Sequence, residues 1–453
     1  MNQVDIDFKN KKVLVMGLGT LGGGIATTKW LIKHSAKVTV TDLKTKSDLV
    51  SSIKALGSAA KKIKFVLGKH NVADFQRNEI IVVNPAVPRE SKFLKIAKHS
   101  GARFENEASL FFRYTKNPII AVTGTRGKTT TVNWIYQLLK RKFPRAVLTG
   151  NSSTNPMLKA LDILDHKSPV VLELSSWHLE FLPQTKRAPH VAVITNIYPD
   201  HLNRYRSLRD YALAKTNIFI NQKSNDYLIL NRQNEWTKFF LNKKPKAKII
   251  FPRAKAIKGG NKFREIYGSH NLENLAMAVT AVELAGVPET LIRKSVSSLE
   301  PVKLRQEIIY STKKLTVVND TTATSPDATI AALKRFYDGN LFLIAGGTDK
   351  KLEFNNWASA VKKYIRPEHL FLLNGSATKK MIVALKKIGF LKQASPRLFE
   401  NFLDLLKTLF KEIGGEKSTI LFSPGAASFE KFKNEFDRGD KFNAYSKKLI
   451  KSQ

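Results

Sequence analysis

Short apolar runs, each closed by glycine or polar text, punctuate the whole chain. Residues 13–16, 38–41 and 80–84 read as strands, and 119–122, 147–150, 170–172 and 191–195 repeat the pattern. Residues 315–318, 341–345, 370–373 and 419–422 repeat it again. Unbroken apolar runs of this length suit parallel strands covered on both faces, and the stretches between them suit crossover helices. After residue 127, Val132, Ile135, Leu138 and Leu139 fall on one helical face. Further helices are expected over 211–220, over 268–286 and from Pro326. Alternation of this kind predicts an α/β protein. The YTKN text ahead of Pro118, and then Pro301, interrupt it, so three domains are expected at 1–116, 117–299 and 300–453.

The glycine text supplies candidate chemistry. The strand at 119–122 runs into Gly124-x-x-Gly127-Lys128-Thr129. In such a cradle the loop amides and the positive end of the next helix receive an anion. Lys128 reaches terminal phosphates and a threonine hydroxyl can bind Mg²⁺. The common P-loop carries a glycine where Val122 stands. The stretch is read as an ATP site. Glu173 closes the strand at 170–172, where an ATPase needs a carboxylate for Mg²⁺. Asn196, Asp200 and His201 follow the strand at 191–195 and emerge at the same carboxyl edge, where ligands of open α/β sheets gather. Nearer the start, Gly17-x-Gly19-x-x-Gly22 with Asp42 is a full βαβ nucleotide fingerprint. It implies a fold more firmly than a cofactor, because the glycines require only that a phosphate or a helix come close. The expected architecture is a Rossmann-like first domain, a P-loop ATPase-like central parallel sheet and a Rossmann-like third domain.

Composition narrows the setting. Cysteine is absent, so no disulfide or thiolate metal site contributes. No apolar run approaches the ~18 residues of a membrane span, and the opening MNQVDIDFKNKK carries no signal-like stretch. A cytoplasmic protein without membrane insertion is expected. The 76 Lys and Arg against 37 Asp and Glu give a formal charge of +39. The basic residues are scattered, with no basic arm, so a solvated basic surface is expected rather than specific nucleic-acid binding.

TGTRGKTT, LELSSWHLE, NIYPDHLNRY, YALAK, GSHNLENLAMA, a lone Arg305 before NDTTATS, and SPGAASFEKFKNEFDRG occur in the order found in Mur ligases. The chain resembles that family along essentially its whole length. Within it, SPGAAS and the FKN…RG text are most similar to the member that adds D-glutamate. The resemblance implies an ATP-dependent amide ligase of peptidoglycan precursor synthesis. Its partners would be UDP-N-acetylmuramoyl-L-alanine and D-glutamate, its cofactors ATP and two Mg²⁺ ions, and its intermediate an acyl phosphate. A monomer is expected.

The same resemblance implies roles for residues. Gly124, Thr125, Arg126, Gly127, Lys128, Thr129 and Thr130 would surround the ATP phosphates, with Asn271, Asn274, Arg305 and Asp320 at the nucleotide. Thr129, Glu173, His201 and Lys215 would hold metal, Lys215 as a carbamate. Lys128, Lys215 and His201 would carry catalysis. Leu18, Gly19, Thr20, Leu21 and Asp42 would form the uridine diphosphate site, and Asn151 would meet the sugar-peptide. Thr324, Lys350, Ser428 and Phe429 would surround the incoming amino acid. Three positions depart from the family pattern. Thr322 stands where a lysine is common, Glu435 precedes Phe436 where an aromatic comes first, and Lys44 stands near where an arginine often lies, without an arginine's bidentate grip on a diphosphate. These bear on which amino acid is added. A sister ligase for another amino acid therefore stays open, as does an NAD-dependent dehydrogenase built on residues 17–22.

Overall fold

The computed structural model describes the chain apart from residues 1–5, 21, 86, 152–154, 166, 202–203, 254–262, 264–266, 268, 392–395, 415 and 453. Leu21, and Gly268 at the start of one expected helix, therefore lie outside the described residues. The architecture is α/β, with three sheets. The first contains β1 (Lys12–Met16), β2 (Lys37–Asp42), β3 (Lys64–Leu67), β4 (Ile80–Val83) and β5 (Arg103–Glu105), in the order β3-β2-β1-β4-β5. Every pairing is parallel. The order reverses at β1, so the loop that follows β1, residues 17–22, opens at the switch point where such sheets bind ligands.

The second sheet contains β6 (Ile119–Thr123), β7 (Val147–Gly150), β8 (Val170–Glu173), β9 (Val191–Ile194), β10 (Tyr227–Leu230) and β11 (Lys248–Ile250). Its order is β11-β10-β9-β6-β8-β7, again all parallel. β6 lies at the centre, with Val122 level with Glu173 on β8 and Thr123 level with Ile194 on β9. β6, β8 and β9 are buried along their full length, which is why they read as unbroken apolar runs. The helix Lys128–Leu139 follows the cradle, and Val132, Ile135, Leu138 and Leu139 are all buried. At about 1.5–3 kcal/mol for each fully buried aliphatic side chain, that face fixes the helix and hence the loop in front of it.

The third sheet contains β12 (Glu307–Ser311), β13 (Leu315–Asn319), β14 (Leu341–Ala345), β15 (Leu370–Leu373), β16 (Arg397–Phe399) and β17 (Ser418–Phe422), in the order β12-β13-β17-β14-β15-β16. The expected parallel sheet is corrected at one edge, because β12 pairs with β13 antiparallel. Only Thr312, Lys313 and Lys314 join them, and the Thr312 amide bonds the Leu315 carbonyl at 2.9 Å. A link that short cannot make a parallel crossover. Leu343, Leu372 and Leu421 pack with Trp357 on one face of this sheet, and Ile344, Phe371 and Phe422 with Phe442 on the other.

The chain forms two compact units. The first holds the first two sheets, and the second holds residues 300–453 with 199–205 and 265–270. The helix expected over 211–220 runs instead over Leu208–Thr216. The Ser207 side chain caps it, accepting the Asp210 amide at 3.1 Å, and the Thr216 hydroxyl turns back onto the Leu213 carbonyl at 2.7 Å.

Candidate active site

The loop expected to hold phosphate owes its shape to two glycines. Gly124 has φ 140, and a Cβ there would stand 1.9 Å from the Thr195 hydroxyl. Gly127 has φ 79, and its Cβ would stand 2.2 Å from the Asn274 Oδ1. A side chain at either position would be strained and would force its neighbour to shift. Thr195 and Asn196, after β9, lace the loop in place. The Asn196 carbonyl accepts the Thr125 amide at 2.9 Å, its side chain accepts the Arg126 amide at 2.8 Å, and the Thr195 hydroxyl donates to the Arg126 carbonyl at 2.6 Å. The first helical bond runs from Thr131 to Gly127 at 2.9 Å. The amides of Gly127, Lys128, Thr129 and Thr130 thus precede the helical ladder and are the ones an anion would meet. Lys128 Nζ folds back onto the Thr125 carbonyl at 3.1 Å.

Other expected residues gather at this strand edge. Lys215 is 1% exposed; its Nζ donates to the Gly124 carbonyl at 2.9 Å and the Thr123 hydroxyl at 3.4 Å. It also lies 4.5 Å from the Tyr211 ring centre. Glu173 is buried, and its Oε1 accepts from Asn151 Nδ2 at 3.2 Å. Asn274 donates to Asn271 Oδ1 at 3.0 Å and accepts the Thr131 hydroxyl at 3.5 Å. ATP-loop, carboxylate and asparagine candidates are therefore one neighbourhood in the first unit.

At the first sheet Asp42 does something the sequence did not disclose. Its Oδ2 accepts the amides of Leu18 and Gly19 at 2.9 and 3.0 Å, and its Oδ1 accepts the Lys44 amide at 2.9 Å. An ionised carboxylate has about four acceptor sites, so three are filled by the chain itself. A dinucleotide-binding aspartate needs them for the ribose hydroxyls. Asp42 closes its own loop instead. Leu18 is buried, and Thr20 is exposed at the loop's tip.

The second unit holds the remaining candidates. His201 has φ 55; its amide bonds Asp200 Oδ1 at 2.9 Å, and Lys350 Nζ lies 3.0 Å from the same oxygen. Asp320 accepts the Ser423 hydroxyl at 2.8 Å and the Gln306 amide at 3.1 Å. Burial pushes its carboxyl up to about 7, with the Ser423 hydrogen bond and the Arg305 charge working the other way. Leu304 and Gln306, with φ 62 and φ 48, hold Arg305 between two left-handed residues, a strain of about 1–3 kcal/mol each that clusters at functional sites. The Thr322 hydroxyl is turned to the Leu304 carbonyl at 2.9 Å, and the Thr324 amide bonds the Thr322 carbonyl at 2.9 Å. Ser428 is 3% exposed and its hydroxyl makes no hydrogen bond among the described residues, while Phe429 beside it is 65% exposed.

Arg438 is the residue that sequence reasoning passed over. It is 1% exposed and binds the Thr321 hydroxyl at 3.0 Å, the Thr321 carbonyl at 2.6 Å, and the Ala426 and Ala427 carbonyls at 3.1 and 3.2 Å. Burial lowers its pKa to about 10. The guanidinium fork pins the turn carrying Thr322 and Thr324 to the turn carrying Ser428. The signal was the FDRG text itself, recognised as a motif without its arginine being assigned work. Arg438→Met should strand those carbonyls and destabilise the protein by at least about 3 kcal/mol. The check is a lower urea midpoint at unchanged m-value.

These features define an α/β enzyme of the phosphate-loop kind, with lysine, carboxylate and asparagine side chains set around an anion cradle. The Mur ligase middle domain matches residues 122–258, and the Mur ligase MurD-like N-terminal domain matches residues 11–104. A UDP-N-acetylmuramoylalanine–D-glutamate ligase of Borreliella afzelii (strain PKo) is 37% identical, over 98% of this chain and 98% of the relative. A ligase of the same name from Roseiflexus sp. (strain RS-1) is 37% identical over 95% of this chain and 97% of its own. The MurF ligase from Thermotoga maritima in complex with ADP shares the fold, with a TM-score of 0.59 at 16% identity over 99% of this chain and 97% of that one. The chain belongs to the Mur ligase family.

Proposed function

We propose that this chain is an ATP-dependent ligase that joins D-glutamate to UDP-N-acetylmuramoyl-L-alanine in peptidoglycan precursor synthesis. The observation that carries the reading is end-to-end likeness, at 37% identity, to ligases of that name. The geometry supports the same chemistry, because an anion cradle lies level with a buried carboxylate on the neighbouring strand. Three domains at 1–116, 117–299 and 300–453 would divide the work, each built on one sheet. ATP and a UDP-linked acceptor are solutes of the cytoplasm, and we read the enzyme as working there as a monomer.

An amide does not form from a carboxylate and an amine in water until the carboxylate gains a leaving group. The acceptor carboxylate attacks the γ-phosphate of ATP to give an acyl phosphate and ADP. The amine of D-glutamate then attacks the acyl carbon, and the tetrahedral intermediate expels phosphate. Each step gathers negative charge, so positioning and electrostatic stabilisation dominate. The amides of Gly127, Lys128, Thr129 and Thr130 would hold the phosphates. Lys128 would leave the Thr125 carbonyl for the terminal one, and Arg126 completes the loop. Asn271, Asn274, Arg305 and Asp320 would receive the nucleotide, Asn151 the sugar-peptide, and Thr324, Lys350, Ser428 and Phe429 the amino acid.

Mg²⁺ takes one or two carboxylates with substrate phosphates and waters rather than a closed protein cage. The donor set fits that habit. Glu173 is a buried strand-end carboxylate, Thr129 lies in the first helical turn, and no cluster of three His, Cys, Asp or Glu side chains occurs among the described residues. Glu173, Thr129, His201 and a carbamylated Lys215 would hold two Mg²⁺, which would supply neutralisation of the phosphate charge.

Phosphate release from ATP should require UDP-N-acetylmuramoyl-L-alanine and D-glutamate together. Turnover with L-alanine or a diamino acid in place of D-glutamate would redirect the reading to a sister ligase. In calorimetry the UDP-linked acceptor should bind at micromolar level, on the order of −8 kcal/mol, and NADH should give no heat because Asp42 is already engaged. Tight NADH binding with a silent acceptor would overturn the reading at its first domain.

A further inference from the structure

The first turn of the helix Glu107–Tyr114 is a junction within the first unit. Asn106 caps it, accepting the Ser109 amide at 2.8 Å, while its Nδ2 donates to the carbonyls of Trp177 and His178 at 3.1 Å each. Those two carbonyls lie shortly after Glu173 in the chain. Glu107, the next residue, is 8% exposed. Its Oε1 accepts the Leu158 amide at 3.3 Å in the helix Met157–Ala160. Asn155, just ahead of that helix, is tied to β7 by the Thr149 hydroxyl, which donates to its carbonyl at 2.6 Å. The end of β7 carries Asn151.

The other oxygen of Glu107 lies toward Gly23. A Cβ on Gly23 would stand 3.3 Å from Oε2. Gly23 opens the helix Gly23–Lys33, immediately after the glycine loop at 17–22. One carboxyl therefore bonds the start of the helix behind Asn151 and fills the space beside Gly23, at the start of the helix behind the nucleotide loop. Burial pushes that carboxyl up to about 7, against the lowering effect of the Leu158 and Met157 amides. Desolvating a carboxyl with backbone amides as its partners is an unfavourable way merely to fill space.

We propose that Glu107 is a positioning residue for the acceptor substrate, fixing the nucleotide loop at a set separation from the strand end that carries Asn151. This rests on the reading of the first sheet as a nucleotide-sugar site. A ligand spanning both ends feels the separation. A ligand that touches the nucleotide end alone does not.

The test uses Glu107→Ala, the isosteric Glu107→Gln, and Gly23→Ala, which presses a methyl toward Oε2 without removing it. KM for UDP-N-acetylmuramoyl-L-alanine should rise about tenfold in Glu107→Ala and in Gly23→Ala, and less in Glu107→Gln. The KM values for ATP and D-glutamate should stay within about twofold, and the calorimetric Kd for UDP alone should not move. An unchanged acceptor KM in the folded variants, or equal weakening of UDP and the full acceptor, would overturn the proposal. A lowered melting temperature with a uniform fall in kcat would do the same, leaving Glu107 a packing residue. Glu107→Gln and Gly23→Ala keep the question open to measurement should the alanine variant fail to fold. Wild-type enzyme that binds UDP-N-acetylmuramoyl-L-alanine no better than NADH would instead sink the nucleotide-sugar reading itself.

Discussion

Lys128→Ala should cut ATP-dependent ligation by about 10²-fold or more, the scale of losing one charged transition-state contact. The loop does not need the side chain to keep its shape. That shape comes from Gly124 and Gly127, and from the Thr195 and Asn196 bonds to Thr125 and Arg126. The helix behind it is held by the buried face of Val132, Ile135, Leu138 and Leu139. The variant should therefore melt close to wild type while losing turnover. The measurement is phosphate release with both substrates saturating, alongside a thermal scan. A folded Lys128→Ala enzyme that ligates at near-normal rate would remove Lys128 from the chemistry and leave its bond to Thr125 as its function.

Strands buried along their length announced themselves. β4, β9, β14 and β15 are continuous apolar text, and β6, β8 and β17 carry apolar runs, because both their faces are covered. Three edge strands were illegible for the converse reason. β3 (KFVL), β11 (KII) and β16 (RLF) are short, half exposed and mixed in polarity, so no period declares them. β12 escaped in the same way, and with it the antiparallel edge of the third sheet. The shifted helix Leu208–Thr216 had a legible start in Ser207 and Asp210, a serine followed three residues later by an acid.

For the site, glycines and strand ends are constrained locally, and so the loop between β6 and its helix, and the position of Glu173 at the end of β8, could be placed from sequence. What could not be read is how the chain spends its own polar groups. Asp42, expected in the uridine diphosphate site, also anchors the Leu18 and Gly19 amides. Thr322, a departure from the family pattern, has its hydroxyl turned to the Leu304 carbonyl. Arg438 and Glu107 work through backbone groups 117 and 51 residues away, and no local spacing encodes such partners. Sequence reports periods and short motifs; long-range bonds from a side chain to a backbone leave no period.

Lys215→Ala should abolish most ligation, by about 10²-fold, and a short carboxylic acid such as acetate in the buffer should restore part of it. The expectation follows from where the amine sits. At 1% exposure Nζ is held by the Gly124 carbonyl, the Thr123 hydroxyl and the Tyr211 ring face. A neutral amine there would add carbon dioxide with loss of one proton. The carbamate so formed would keep one N–H, enough to maintain the bond to Gly124, and would place an anion beside the loop at 124–127. A small acid entering the space left by alanine would supply that anion again. The same acid should do nothing for Lys128→Ala, whose missing group is a cation, so the pair of variants separates anion replacement from a general salt effect. A fully active Lys215→Ala enzyme, or an active wild-type enzyme whose intact mass shows the bare amine, would make Lys215 a cation that braces the Gly124 carbonyl and nothing more.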